Sequence, residues 1–330
     1  MAEMKNVDFG KHLGYQTDLA ILAATGSEIE RRDGYWRVST PDNRRYYWGN
    51  FLLMDQAPQS VSDFTRWLDL FQSEFGEIQE VAHLTFGWVT EDKPALADLQ
   101  PFYDAGFEDE TSLVLGTEMP ASTASNRVDL EIRALNPKDD HAWQELGTLW
   151  SECADPVYER ESHLKFLLER VQANRRSLRT HAGLWAGAYL DGRLIGDLGI
   201  YAVGSFGRYQ RVQVHPEFRR GGVGATLVVG AAKIAAHFLG TKRFVLVAAP
   251  EGNGHRLYEG LGFRKLGFQR GLSRAPAGAK ASVILRKAVV EDAPEIARLI
   301  RDVMPEFGAN GPGFAINDPE VDFIPRQYAE

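Results

Sequence analysis

The 330-residue sequence contains a single cysteine, Cys153. One thiol excludes an intrachain disulfide framework and any zinc cage built on cysteine, and it fits a reducing compartment. Long apolar runs are missing too. The opening stretch MAEMKNVDFGKHLGYQTD has no leader-like apolar core, and nowhere do apolar residues approach the roughly eighteen of a membrane span. A cytoplasmic chain without a membrane partner is therefore expected. Positive charge is short: 37 Lys and Arg stand against 45 Asp and Glu, a formal charge of -8, with a pI near 5.6. That total argues against a basic nucleic-acid footprint and favours a cationic small substrate. The chain also lacks GxxxxGK[ST], HExxH and any cysteine pair, so neither a phosphate loop nor a metal cofactor is expected.

What is present is globular. With 44% hydrophobic and 25% charged residues and a mean hydropathy of -0.29, the composition excludes collagen-like, low-complexity and wholly disordered chains. Set against a usual domain of about 150 residues, the length suggests two domains and a remainder.

Gly34 to Asp55 is rich in aromatic and β-branched residues around a Pro-Asp-Asn turn and reads as two strands. Ser62 to Phe75 places Phe64, Trp67, Leu68 and Phe71 on one helical face. A strand over Val81 to Val89, a helix from Pro94 to Ala105 and a strand over Thr111 to Thr117 follow, which suggests a small mixed sheet. The polar MPASTASNR, Met119 to Arg127, is read as a domain boundary.

A new pattern begins beyond it. Leu130 to Ala134 is a strand, and helices are expected over Trp143 to Cys153 and Arg160 to Leu178. Strands cover Leu184 to Leu190, Leu194 to Val203 and Arg208 to Val214, the first two joined by the hairpin signal Asp191-Gly192. A helix from Gly224 to Leu239, a strand from Phe244 to Ala249 and a short helix from His255 to Gly260 complete the run. The informative segment is VQVHPEFRRGGVGATLVVGAAKIAAHFLG, Val212 to Gly240. Glycines here let helix N-terminal amides approach a phosphate, and the helix dipole adds partial positive charge. By itself an Arg/Gln-x-x-Gly-x-Gly pattern arises by chance on the order of 0.3 times in such a chain, so its surroundings decide. A strand precedes it; a long helix, an apolar strand and then Tyr258 to Phe263, YEGLGF, follow.

With those elements in that order, residues Asp129 to Arg274 resemble the GNAT (GCN5-related N-acetyltransferase) superfamily. Arg219, Gly222 and Gly224 match its pyrophosphate motif, and Tyr258 with Gly262-Phe263 matches its YxxxGF signature. The resemblance implies a mixed α/β sheet, acetyl-CoA as cosubstrate, and acetyl transfer to the amine of a small molecule or peptide. It implies pantetheine pairing with Val212 and Val214, and a pyrophosphate held by Arg219, Arg220, Gly221, Gly222, Val223, Gly224 and Ala225. Tyr258 would protonate the departing thiolate. For the general base the open choices are Asp197, His215, Glu217, Glu251 and a water relay. Asp197 sits inside the apolar LIGDLGIY, where a carboxylate needs a reason to be. Glu251 takes the slot where the family commonly has asparagine, leaving Asn253 as the nearby cofactor contact, and Gly221 loosens the bend. Trp143, Trp150, Tyr158, Trp185 and Tyr201 are candidate pocket walls or core.

The first 120 residues repeat this plan in outline. Phe102 to Phe107, FYDAGF, aligns with Tyr258 to Phe263, and Phe51 to Phe75 with Val212 to Leu239. Yet Leu53 to Ser60, LMDQAPQS, has no basic residue or glycine at the bend, and Pro58 removes an amide. Residues 1–120 thus read as a degenerate GNAT-like module without a cofactor site and without the two leading helices, walling one side of an acceptor pocket. The alternative is an unrelated small domain with an accidental Gly-Phe. Residues 128–274 are then the catalytic domain, and 283–330 a partial strand-helix extension, with Val283 to Ala288 as strand and Glu291 to Val303 as helix. Two rivals remain for the site. A dinucleotide fold is disfavoured because seven residues separate Val214 from Gly222 and Leu227 fills the third-glycine position; a non-catalytic acyl-CoA-binding regulator shares the same motif.

Overall fold

Helix α1 (Leu13–Ala24) opens the fold, where the sequence pattern shows no leading helix at all. Tyr15, Leu19, Ile21 and Leu22 are all buried, so the helix has apolar residues around most of its circumference and lacks the one-sided stripe that marks a surface helix. The structure, a computed structural model, describes residues 12–89, 93–122, 127–181, 183–250, 253–276, 289–307 and 321–322. The chain divides into two units, Met1–Ala281 and Ser282–Glu330.

In the first unit, α1 is followed by β1 (Glu28–Arg32), β2 (Tyr35–Ser39), β3 (Phe51–Met54), α2 (Ser62–Phe75), β4 (Leu84–Trp88), α3 (Leu96–Asp104), β5 (Glu108–Asp109) and β6 (Ser112–Thr117). Beyond them come β7 (Glu131–Ala134), α4 (Asp140–Glu152), α5 (Arg160–Ser177), β8 (Gly183–Leu190), β9 (Arg193–Val203) and β10 (Phe206–Val214). The last elements are α6 (Val223–Leu239), β11 (Arg243–Ala248), α7 (Asn253–Gly260) and β12 (Arg264–Arg274). The expected hairpin between β8 and β9 turns on Asp191 and Gly192, both at positive φ, as a tight two-residue turn requires.

The mixed sheet is single and continuous, in the order β1-β2-β3-β4-β12-β6-β11-β10-β9-β8-β7, with β5 beside β12. The tandem plan is visible in it. Parallel β3 and β4 are joined through α2, as parallel β10 and β11 are joined through α6. The turns after α3 and α7 match bond for bond. Gly106 and Gly262 have φ of 83° and 89°; Phe107 N donates to Phe102 O, and Phe263 N to Tyr258 O, each at 3.0 Å. Glycine is needed at both because the helix ends in the left-handed region.

The two halves exchange strands. β6, which precedes the predicted boundary, lies antiparallel between β11 and β12 of the following half. The end of β12 reaches back to pair with β4 through Arg270 to Arg274. Neither half therefore closes its own sheet. Leu113, Val114 and Leu115 of β6 are 6%, 3% and 1% exposed, and burying them is worth about 1.5–3 kcal/mol each. Together that approaches the whole stability of a domain, about 5–15 kcal/mol.

Helix α1 ties the exchange together by packing on β1, β9, β11 and β12. Tyr15 Oη donates to Arg270 O at 2.5 Å. The expectation that the N-terminal half begins without a helix is thus corrected: one helix leads it. In the second unit, α8 (Ala293–Val303) confirms the expected amphipathic helix, and Arg301 pairs with Asp322 at 2.7 Å. The strand expected over Val283 to Ala288 lies outside the described residues. Among the described residues no helix is long and apolar enough to cross a membrane.

Residues 120–281 produced alone are expected to lack a cooperative thermal transition, and co-production with residues 1–119 to restore it. A cooperative melt of the isolated fragment would show that β6 is dispensable.

Candidate active site

Strands β10 and β11 pair only over Phe206 to Arg208 and Arg243 to Val245. Beyond that they carry no mutual ladder, so Tyr209 to Val214 and Leu246 to Ala248 face one another across a slot. A crevice at the carboxyl ends of parallel strands is where open α/β sheets bind ligands. On its other side β10 carries a bulge: its register with β9 shifts between Gln210 and Gln213, and Arg211 sits at φ 45°. One extra residue there interrupts the ladder and bends the strand.

The slot ends against the first turn of α6. A Cβ on Gly224 would stand 3.3 Å from Leu257 and 3.8 Å from Val214, so the helix start is packed between β10 and α7. Arg220 and Gly222 have φ of 63° and 77°, turning the backbone sharply into the helix. Arg219 Nε donates to Val214 O at 3.1 Å. Val212 and Val214 are half-buried, Arg219, Arg220 and Gly221 exposed, and Val223 and Ala225 buried. The seven bend residues singled out from sequence thus form one continuous turn with helix amides behind it. Arg127, not foreseen, joins them: its N–H donates to Thr226 Oγ1 at 2.8 Å, and its guanidinium is held by Asp129.

Tyr258 lies on α7, 9% exposed, its ring 5.8 Å from that of Phe263. Burial pushes its hydroxyl up to about 12, and the Arg208 charge opposes that. Asn253 begins α7, and Glu251 lies outside the described residues.

The corresponding place in the N-terminal half is shut. Pairing of β3 with β4 runs to Met54 and Trp88 at the strand ends, and Val89 N donates to Met54 O at 3.0 Å beyond them. At the start of α2 the Asp63 carboxylate accepts from the amides of Gln59 and Ser60, at 2.8 and 3.1 Å. The chain's own carboxylate fills the position where an anion would sit.

The other base candidates separate clearly. His215 Nδ1 accepts from Glu217 N at 3.4 Å, capping the short turn Pro216–Phe218, and its Nε2 is 3.6 Å from Glu152. Glu217 is largely exposed, 3.8 Å from Arg193. Asp197 is wholly buried. Its Oδ2 accepts from Trp150 Nε1 at 3.0 Å and Trp185 Nε1 at 2.9 Å, while Oδ1 has no hydrogen-bond partner among the described residues. The reason for a carboxylate in LIGDLGIY is therefore to hold two indoles. Gly199 permits it, since a Cβ there would come within 2.4 Å of the Trp185 ring. Of the other aromatics, Trp143 and Tyr201 are core, whereas Tyr158 lines a cavity.

Two cavities open on the slot side facing α1 and α5. An inner one of about 270 Å³ reaches Gln210 and Arg211 of the bulge and Val247 of β11. An outer one of about 540 Å³ is lined by aromatic and polar groups of both halves. Tyr46, Trp48 and Glu110 line both, so the cavities adjoin.

Residues 143–263 match the model of the acetyltransferase (GNAT) family. The chain carries a GNAT domain. No curated protein matches it. Among solved structures it is similar to a functionally unknown conserved protein of Staphylococcus epidermidis, at 16% identity over 76% of this chain and 94% of that one, with a TM-score of 0.63. It is also similar to a GCN5-related N-acetyltransferase from Kribbella flavida, at 14% identity over 81% and 98% of the two chains, with a TM-score of 0.56. These likenesses show the fold.

Burial raises Asp197 to about 6, with Arg211 and the two indoles opposing. The folded value exceeds the roughly 3.9 of an unfolded aspartate, so between about pH 4 and 6 the native state binds more protons and loses stability as pH rises. Asp197→Asn is expected to remove that loss. Its stability relative to wild type in urea should improve by about 1–3 kcal/mol between pH 4 and 7; a difference independent of pH would place the titration elsewhere.

Proposed function

We propose that this protein is an acyl-CoA-dependent N-acyltransferase that passes acetyl from acetyl-CoA directly to the amine of a small molecule or peptide. The observation that carries the reading is the parting of β10 from β11 after Arg208 and Val245, closed at one end by the α6 N-terminus. The edge of Val212 and Val214, unpaired with β11, suits the amides of pantetheine. The turn from Arg219 to Ala225 suits the pyrophosphate, through helix amides and dipole, and Asn253 at the start of α7 would contact the cofactor arm. With those groups held, the thioester falls at the bulge, where backbone N–H groups can stabilise the oxyanion.

The acceptor nitrogen attacks the thioester carbon as a C–N bond forms and the C–S bond breaks. Tyr258, protonated throughout the neutral range, gives its proton to the departing sulfur. Of the inner cavity's two carboxylates, Asp18 is held by Arg208 and Gln269 at 2.7 and 2.8 Å. That leaves Glu110, with a 2.6 Å bond from Ser273 Oγ, to take the amine proton. Residues 1–120 would contribute α1, Tyr46, Trp48 and Glu110 to the pocket and bind no cofactor of their own. Residues 128–274 would form the catalytic domain and 283–330 an extension.

Purified protein with acetyl-CoA and an amine panel is expected to release free thiol. Tight CoA binding without release on any amine would make it a binding module instead. Tyr258→Phe is expected to lower kcat about 10²-fold while leaving the acetyl-CoA Kd within about twofold; unchanged kcat would remove the acid role. Gly222→Val forces a β-branched residue into a left-handed position and is expected to abolish CoA binding by calorimetry, with retained affinity refuting the cradle. Glu110→Gln should lower kcat/KM about 10²-fold at neutral pH while leaving the acetyl-CoA Kd within about twofold; an unchanged kcat/KM would clear Glu110 of the base role.

A further inference from the structure

Three arginines reach the inner cavity, and they are not equivalent. Arg208 is saturated: Nε donates to Thr17 Oγ1 at 3.0 Å, Nη1 to Tyr209 O at 2.6 Å, and Nη2 to Asp18 at 2.7 Å. Arg170 and Arg211 rest on aromatic faces instead, Arg170 4.3 Å from the Tyr46 ring centroid and Arg211 3.9 Å from that of Trp150. Among the described residues neither guanidinium has an ion pair or a hydrogen bond. Each keeps five N–H donors.

This arrangement is unfavourable as it stands. Arg170 is half-buried and Arg211 exposed at the cavity, and Arg170 adds to the packing that lowers the pKa of Arg211, so the two repel. Asp197, the carboxylate that opposes this, is not in ion-pair contact and gives Oδ2 to two indoles. His163, on the same α5 face as Phe166 and Arg170, is lowered by burial and by Arg211, so it adds no further positive charge near neutral pH. Asp18 is occupied by Arg208, and Glu110 sits with Ser273. The cavity therefore offers two open cations and one open carboxylate.

We propose that the acceptor is a small amine that also carries an anionic group, a carboxylate or phosphate, which Arg170 and Arg211 bind while its amine faces Glu110. This rests on the acyltransfer reading for the amine but not for the anion. Contact with an aromatic face uses none of the N–H groups of either guanidinium, and a guanidinium suits bidentate recognition of planar or tetrahedral oxyanions. The CoA phosphates are assigned elsewhere, to the bend from Arg219 to Ala225 beyond the end of β10, whereas Arg211 sits at the bulge within the strand.

The test uses matched amines with and without the anion: phenylalanine against phenethylamine, and phosphoethanolamine against ethanolamine. Each is measured for thiol release with acetyl-CoA, and for equilibrium binding by calorimetry to the protein with and without CoA. The anionic member of at least one pair is expected to bind and react about tenfold or more better, as expected for charged hydrogen bonds, and which pair responds tells carboxylate from phosphate. In Arg170→Gln and in Arg211→Gln that ratio should fall toward one. Anion-selective binding without thiol release would uphold this proposal and refute acyltransfer. Thiol release or binding indifferent to the anion would overturn it while leaving acyltransfer intact. So would variants that weaken acetyl-CoA binding alone, which would assign the arginines to the cofactor, and so would failure of every anionic amine to bind.

Discussion

Two parallel strands that part in mid-sheet leave facing backbone edges that no longer pair with each other, and everything around β10 and β11 follows from keeping that gap open. Backbone groups demand partners, so an unsupported gap would zip shut. Arg208, the last residue of the ladder on β10, is anchored to Thr17 and Asp18 of α1. The far edge of β11 is fully paired with β6 from Phe244 to Ala248, which denies β11 the freedom to swing toward β10. The bulge at Arg211 bends β10 away as well. Both braces, α1 and β6, come from the N-terminal half, so that half acts on the slot from outside it.

The repeat shows which features packing requires and which only chemistry does. Gly106 and Gly262 make the same turn with the same bonds because both must deliver a phenylalanine, Phe107 or Phe263, into a core. Where the second half has Tyr258, the first has Phe102, wholly buried: the ring stays and the hydroxyl goes. Where the second half has glycines before its helix, the first has Asp63 satisfying the free amides, its carboxyl held below the usual range by Gln59, Arg66 and Ser60 against the effect of burial. A sheet that pairs to the ends of β3 and β4 has no slot for a thioester arm.

Much of this was legible in the residues. The order of strands and helices beyond Leu130, the bend from Arg219 to Ala225, the repeat of FYDAGF and YEGLGF, and the oddity of Asp197 are local patterns, and periodicity reads local patterns well. Partner choice is not local. The apolar run in β6 marks a strand buried on both faces, yet nothing in SLVLGT specifies β11 rather than β4 as its neighbour. The strand β12, RKLGFQRGLSR, escaped because its two ends pair with different strands, β6 and β4, and its burial follows no single period. Helix α1 escaped for want of a polar face. Glu110 and Arg170 gave no signal, being ordinary charges on a loop and a helix until the fold turned them toward one cavity.

The overall charge of -8 pointed to a cationic substrate, and the cavity qualifies that inference for a physical reason. Charges spread over a surface are screened within about 8 Å at physiological salt, so the total sets encounter and solubility more than it sets what a recessed site prefers. Inside, the balance depends on which groups have already neutralised one another. Asp18 and Arg208 cancel, Asp197 is spent on Trp150 and Trp185, and His163 is held neutral. What is left to meet a ligand is the pair Arg170 and Arg211 together with Glu110, a pattern that suits both signs of charge in one small molecule.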